Sequence, residues 1–114
     1  MTPKVSTHDQ PHRSRIALLL HQLGIPCHRA GFRQLCIAID QYARSENISL
    51  SKELYPSIAS RMQLSDYRAV EHSIRQAIHQ GWEHRDPEVW NQYFPEDSKC
   101  PSNKVFLAVL SEFM

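Results

Sequence analysis

The chain has 114 residues, the size of one domain with a single hydrophobic core. With 41% hydrophobic and 22% charged residues it has the composition of an ordinary globular protein, and its wholly apolar runs are too short for a membrane span or a signal peptide. A net charge of +1 is not that of a generally basic nucleic-acid binder, so any argument for nucleic acid has to be local.

Residues 1–11 are polar, contain Pro3 and Pro11 and show no period, which predicts a loose leader with structure starting near His12 or Arg13. From there Ile16, Leu19, Leu20 and Leu23 fall at helical spacing. Gly24 suits the left-handed turn that ends a helix, and Pro26 prevents its resumption. A second helix follows through Phe32, Leu35, Cys36, Ile39 and Tyr42, ending near Arg44. Ser49 or Ser51 can cap a third, in which Pro56 has to open a turn or bend the helix because it lacks an N–H. After Trp82, Asp86 as cap and Pro87 in the first helical position start a short helix to about Tyr93. Ser102 can cap the last, with Val105, Phe106, Val109, Leu110 and Phe113 as its apolar face. No stretch alternates as a strand, so the expected fold is all-α: a compact bundle of about five to six helices over residues 12–114.

The fourth helix, residues 67–82, carries the functional signal. At about 100° per residue, Val70, Ile74, Ala77, Ile78 and Trp82 gather on one side. Arg68, His72, Gln76 and His79 lie opposite, with Glu71 and Arg75 at the margin. The preceding helix supplies Ile58 and the small Ala59 for a close crossing, and Leu64-Ser65 makes a tight turn before Val70 and Ile74. This is helix-turn-helix spacing over about residues 56–82, with Gln63 where a turn glycine is frequent and Val70 one position late. In that motif the first turns of the second helix enter the DNA major groove.

The stretches "LGIPCHRAGFRQL", "LYPSIA", "VEHSIRQAI" with Trp82, and "PSNKVF" follow one another in an order that carries a resemblance. From about Ile16 to Phe113 the chain resembles the C-terminal DNA-binding effector domain of the master sporulation response regulator of endospore-forming bacteria. The resemblance implies a helical bundle with a helix-turn-helix, binding to double-stranded DNA as tandem copies, and control of transcription through RNA polymerase. It places Glu71 and Arg75 on the DNA-facing side of the recognition helix and Gln76 near the backbone. It also implies a contact with the polymerase sigma subunit by the segment after the recognition helix, here residues 83–97. Ala69 and His72 stand where that family carries base-reading arginines, although Arg68 is one residue away, so the target sequence is expected to differ. The family joins this domain to an N-terminal receiver, which residues 1–15 are too short to supply.

Cys27, Cys36 and Cys100 are odd in number and widely spaced, which fits reduced, buried thiols in a cytoplasmic protein. Neither they nor the seven histidines show zinc-ligand pairing, since Cys27-His28 are adjacent and His8 with His12 lies in the polar leader. With only Gly24, Gly31 and Gly81 there is no phosphate-cradling loop and no nucleophile beside a base, so neither an enzyme nor a cofactor is expected. The expected activity is sequence-specific binding of double-stranded DNA, as two copies on adjacent half-sites. Arg68, Glu71, His72 and Arg75 would face bases, and Gln76, His79 and Arg61 the backbone; Arg29 and Arg33 are further phosphate candidates. The rival class is a protein-interaction module that keeps the fold without strong DNA affinity and modulates a related transcription factor.

Overall fold

The computed structural model describes residues 10–45, 47–95 and 99–114, with side chains from residue 14 onward. Six α-helices are present among them: α1 (Gln10–Gln22), α2 (Ala30–Arg44), α3 (Tyr55–Arg61), α4 (Tyr67–Glu83), α5 (Pro87–Trp90) and α6 (Asn103–Ser111). A π-helical turn, Leu50–Leu54, leads into α3, and the described residues contain no strand. Helix α1 is described from Gln10; residues 1–9 of the expected leader, with His8, lie outside the described residues.

Helix α2 is central, packing against α1, α3, α4 and α6. The core takes Ile16 and Leu20 from α1 and Leu23 just after it, Leu35, Ala38 and Ile39 from α2, Ile58 from α3, and Val70, Ile74 and Ile78 from α4. The apolar stripe of α1 and Val70, Ile74, Ala77 and Ile78 of α4 are therefore buried as their periodicity implies, whereas Trp82 at the end of the α4 stripe and Phe32, Cys36 and Tyr42 of α2 are only partly covered. On α6 the buried face is Phe106, Leu107 and Leu110, while Val105 and Phe113, expected in the core, are 45% and 49% exposed. Helical spacing alone permits either stripe, and packing against α2 and α4 selects the one containing Leu107.

The caps follow the short polar side chains. Ser49 Oγ accepts the Lys52 N–H at 3.3 Å, Asp86 Oδ1 that of Glu88 at 3.0 Å and Ser102 Oγ that of Val105 at 3.2 Å. Glu53 Oε1 accepts the Ser49 N–H at 2.8 Å, closing a capping box one residue longer than usual. The extra residue is that of the π turn, in which the Leu54 N–H reaches back to Ser49 O at 2.9 Å. Pro56, with no N–H for the ladder, sits at the start of α3 just beyond that wider turn.

Helices α1 and α3 end alike. Ile25 N–H donates to Leu20 O and Gly24 N–H to His21 O; Leu64 N–H donates to Ala59 O and Gln63 N–H to Ser60 O. Each is a Schellman ending that needs a left-handed residue, at Gly24 (φ 79°) and at Gln63 (φ 58°). The turn between α3 and α4 spans residues 62–66, longer than the usual three or four, which accounts for the late Val70. Gln63→Gly should raise stability by about 0.5–1 kcal/mol, the left-handed cost less the entropy of a glycine, read as a higher denaturation midpoint at unchanged slope.

At the crossing of α2 and α4, a Cβ on Gly31 would lie 2.6 Å from Ser73 O and 2.9 Å from Ala77 Cβ. The obstacle is backbone, so an added methyl can only be admitted by moving a helix. Gly31→Ala should destabilise by about 1–3 kcal/mol in chemical denaturation, the range for overpacking a tight contact.

Candidate nucleic-acid interface

Burial of Val70, Ile74, Ala77 and Ile78 fixes the roll of α4, and Arg68, His72, Arg75, Gln76 and His79 are all exposed as a result. Glu71 is half-buried at the edge of this face. Arg75, expected at the margin, is fully on the solvent side. Trp82 ends the stripe partly covered, edge-on to Trp90 with ring centroids 5.6 Å apart and with the Arg85 guanidinium 3.7 Å above its ring.

Both arginines of the first turns have a carboxylate beside them. Asp66 caps α4 by accepting the Arg68 backbone N–H at 2.9 Å, and its carboxylate also takes the Arg68 guanidinium, with Nη2 at 3.1 Å from Oδ2. The guanidinium bonds first, and the backbone bond second, hold the Asp66 carboxyl below the usual carboxylate range. Arg75 Nη2 lies 3.7 Å from Glu71 Oε2, one turn back on the same helix. Exposed pairs of this kind add little to stability and leave the arginine donors within reach of a ligand.

The face has two flanks. On one, Glu71, Arg75 and His79 line a groove of about 1180 Å³ together with Lys99 from the segment before α6 and Lys104 from its first turn. On the other, Ser73, Gln76 and Gln80 border a smaller cleft with Arg29 just before α2. Arg61, at the end of α3, is exposed but lines a separate cleft with Arg33. Sequence reasoning missed Lys99 and Lys104, which are remote in the chain; the cap at Ser102 was the available sign that their segment turns back onto the bundle.

Asn103 holds the larger groove in place. Its Nδ2 donates to the Tyr55 hydroxyl at 3.1 Å and to Glu71 O at 3.2 Å, joining the starts of α3 and α6 to the middle of the first half of α4. Burial pushes the Tyr55 phenol up, and the Asn103 bond partly opposes this by favouring the phenolate.

The thiols depart from expectation: Cys27 is exposed, and Cys36 and Cys100 are half-buried. Among the described residues no three of His, Cys, Asp and Glu gather as a metal site. No described helix is long and apolar enough to cross a membrane. After α4, Trp90 and Phe94 are core residues, so the exposed surface of that segment is polar and acidic rather than aromatic.

A helical bundle that presents the polar, arginine-bearing second helix of a helix-turn-helix to solvent has the architecture of a DNA-binding regulator. The chain belongs to the family described as sporulation initiation factor Spo0A C terminal, whose family model matches residues 16–114. This is a family of DNA-binding transcription-factor domains and not of enzymes, with double-stranded DNA as its partner.

Asn103→Ala should lower stability by about 0.5–1.5 kcal/mol for a lost hydrogen bond and raise the Tyr55 phenol further, because the deleted donor stabilised the phenolate. Ultraviolet titration of the tyrosines, beside a denaturation curve, reads both effects.

Proposed function

We propose that this domain is a sequence-specific reader of double-stranded DNA, with residues 12–114 as the binding unit and the helix-turn-helix within 56–82. Residues 67–76 enter the major groove, where Arg68, Glu71, His72 and Arg75 face bases. Gln76 and His79 lie nearer the phosphates, and Arg61 adds a backbone contact at the end of the preceding helix. Two copies occupy adjacent half-sites, and the polar segment after α4 is offered to the polymerase sigma subunit.

The observation that carries this reading is the roll of α4. Its buried underside leaves the five polar residues on one open face, and cationic side chains stand on both flanks, Arg29 on one and Lys99 with Lys104 on the other. A groove-bound helix needs that arrangement: base-reading groups along its ridge and phosphate-binding groups to either side. Ala69 and His72, in place of the arginines of the resembling family, point to a target that differs from the family's.

Selection of bound sequences from a random duplex pool at two salt concentrations tests it. An enriched motif is expected, with Arg75→Ala costing about 1–3 kcal/mol at one position and Lys104→Ala weakening all sequences evenly while reducing the salt slope by about 1. No enrichment at either salt concentration would overturn the reading and favour a module that works by binding another protein.

A further inference from the structure

The pair formed by Asp66 and Arg68 is more fully made than the other carboxylate contact on this face. Asp66 Oδ1 accepts the Arg68 backbone N–H at 2.9 Å and Nε at 3.3 Å, while Oδ2 accepts Nε at 3.2 Å and has Nη2 at 3.1 Å. The cap bond ties the carboxylate to the first turn of α4, so the side chain it grips is tied to the helix as well. Arg75, by contrast, comes no nearer than 3.7 Å to Glu71.

Geometry at the guanidinium decides what remains available. A guanidinium carries five N–H donors in a rigid plane, and Asp66 takes only the Nε–Nη2 edge. The Nη1–Nη2 edge is left over, on a side chain 75% exposed at the start of the helix. Two parallel donors on one edge match the N7 and O6 acceptors of guanine.

Charge works in the same direction. A carboxylate against Arg68 cancels much of its pull on phosphate, which depends on net charge, but leaves the directional donors of the free edge intact. Holding the side chain also reduces the rotamer freedom lost when it binds.

We propose that Asp66 is a positioning residue for base recognition: it presents the free guanidinium edge of Arg68 to a guanine in the major groove and so sets the preference for guanine at that base pair. The proposal rests on the reading of α4 as the groove-bound helix.

The test is the base-preference profile of the 114-residue protein, obtained by selection from a random duplex pool, for wild type, Asp66→Asn, Arg68→Ala and the double variant. Asparagine caps helices about as well as aspartate, and a melting curve checks that α4 is intact. If Asp66→Asn melts early, Asp66→Ser supplies another cap and the same readout. Guanine preference at one position should fall about five-fold or more in Asp66→Asn and in Arg68→Ala, with no further loss in the double variant. A wild-type profile for Asp66→Asn, with the preference lost in Arg68→Ala, would reduce the pair to a surface contact and overturn the proposal. An unchanged profile for Arg68→Ala, with Arg75→Ala still altering it, would overturn it while sparing the groove-bound helix. No change with any of these variants would overturn both.

Discussion

The contact on which the rest of the molecule depends is the approach of α2 to α4 at Gly31. With no side chain there, the start of α2 lies directly against Ser73 O and Ala77 of α4. That closeness presses the underside of α4 onto the core, and a helix held by one side has only its opposite side to offer. It also brings Arg29 to the border of the cleft that holds Gln76. One missing methyl group thereby sets both the roll of the candidate recognition helix and the identity of one of its flanks.

The remaining contacts keep that helix from shifting along its length. Near its start, the single amide of Asn103 reaches both Tyr55 and the backbone of Glu71. At its far end, Trp90 lies against Trp82, Phe94 and Phe106 and donates its ring N–H to Leu23 O at 3.0 Å. The four-residue α5 is too short to be stable alone, and its role is to deliver this indole into the bundle. An aromatic cluster with one satisfied polar atom is well suited to join three helices, because its large apolar area is anchored in one orientation by the hydrogen bond.

Much of this was legible in the chain because the determinants are local. Gly24, Ser49, Asp86 with Pro87, and Ser102 act within a few residues of themselves, and each stands where its side-chain chemistry implies. The stripe of α4 was readable because five apolar positions leave one way to bury them. What escaped depends on partners distant in sequence. Val105 and Leu107 are both plausible inward residues on α6 until α2 and α4 choose between them. The π turn arises from Pro56 together with the reach of Glu53 back to Ser49, a geometry with no periodic signature. Lys99 and Lys104 join the flank of α4 only because the chain returns there, and Asp66 engages the side chain of Arg68 as well as its backbone N–H, a pairing with no periodic signature. The thiols were misjudged because cysteine burial follows from what packs above it, which no local pattern records.

The pairing of arginines with carboxylates also bears on how such a domain moves through a crowd of unrelated duplex. With a net charge of +1, and with Arg68 and Arg75 each beside a carboxylate, the proposed face would depend on the flanking Arg29, Lys99 and Lys104 to displace counterions. Sliding relies on that long-range hold, so excursions along random sequence should be brief and arrival at a target should proceed mainly through repeated encounters from solution. Residence is then governed by directional contacts made after docking, and two such domains side by side would gain retention through their joint occupancy rather than through a stronger field around either one.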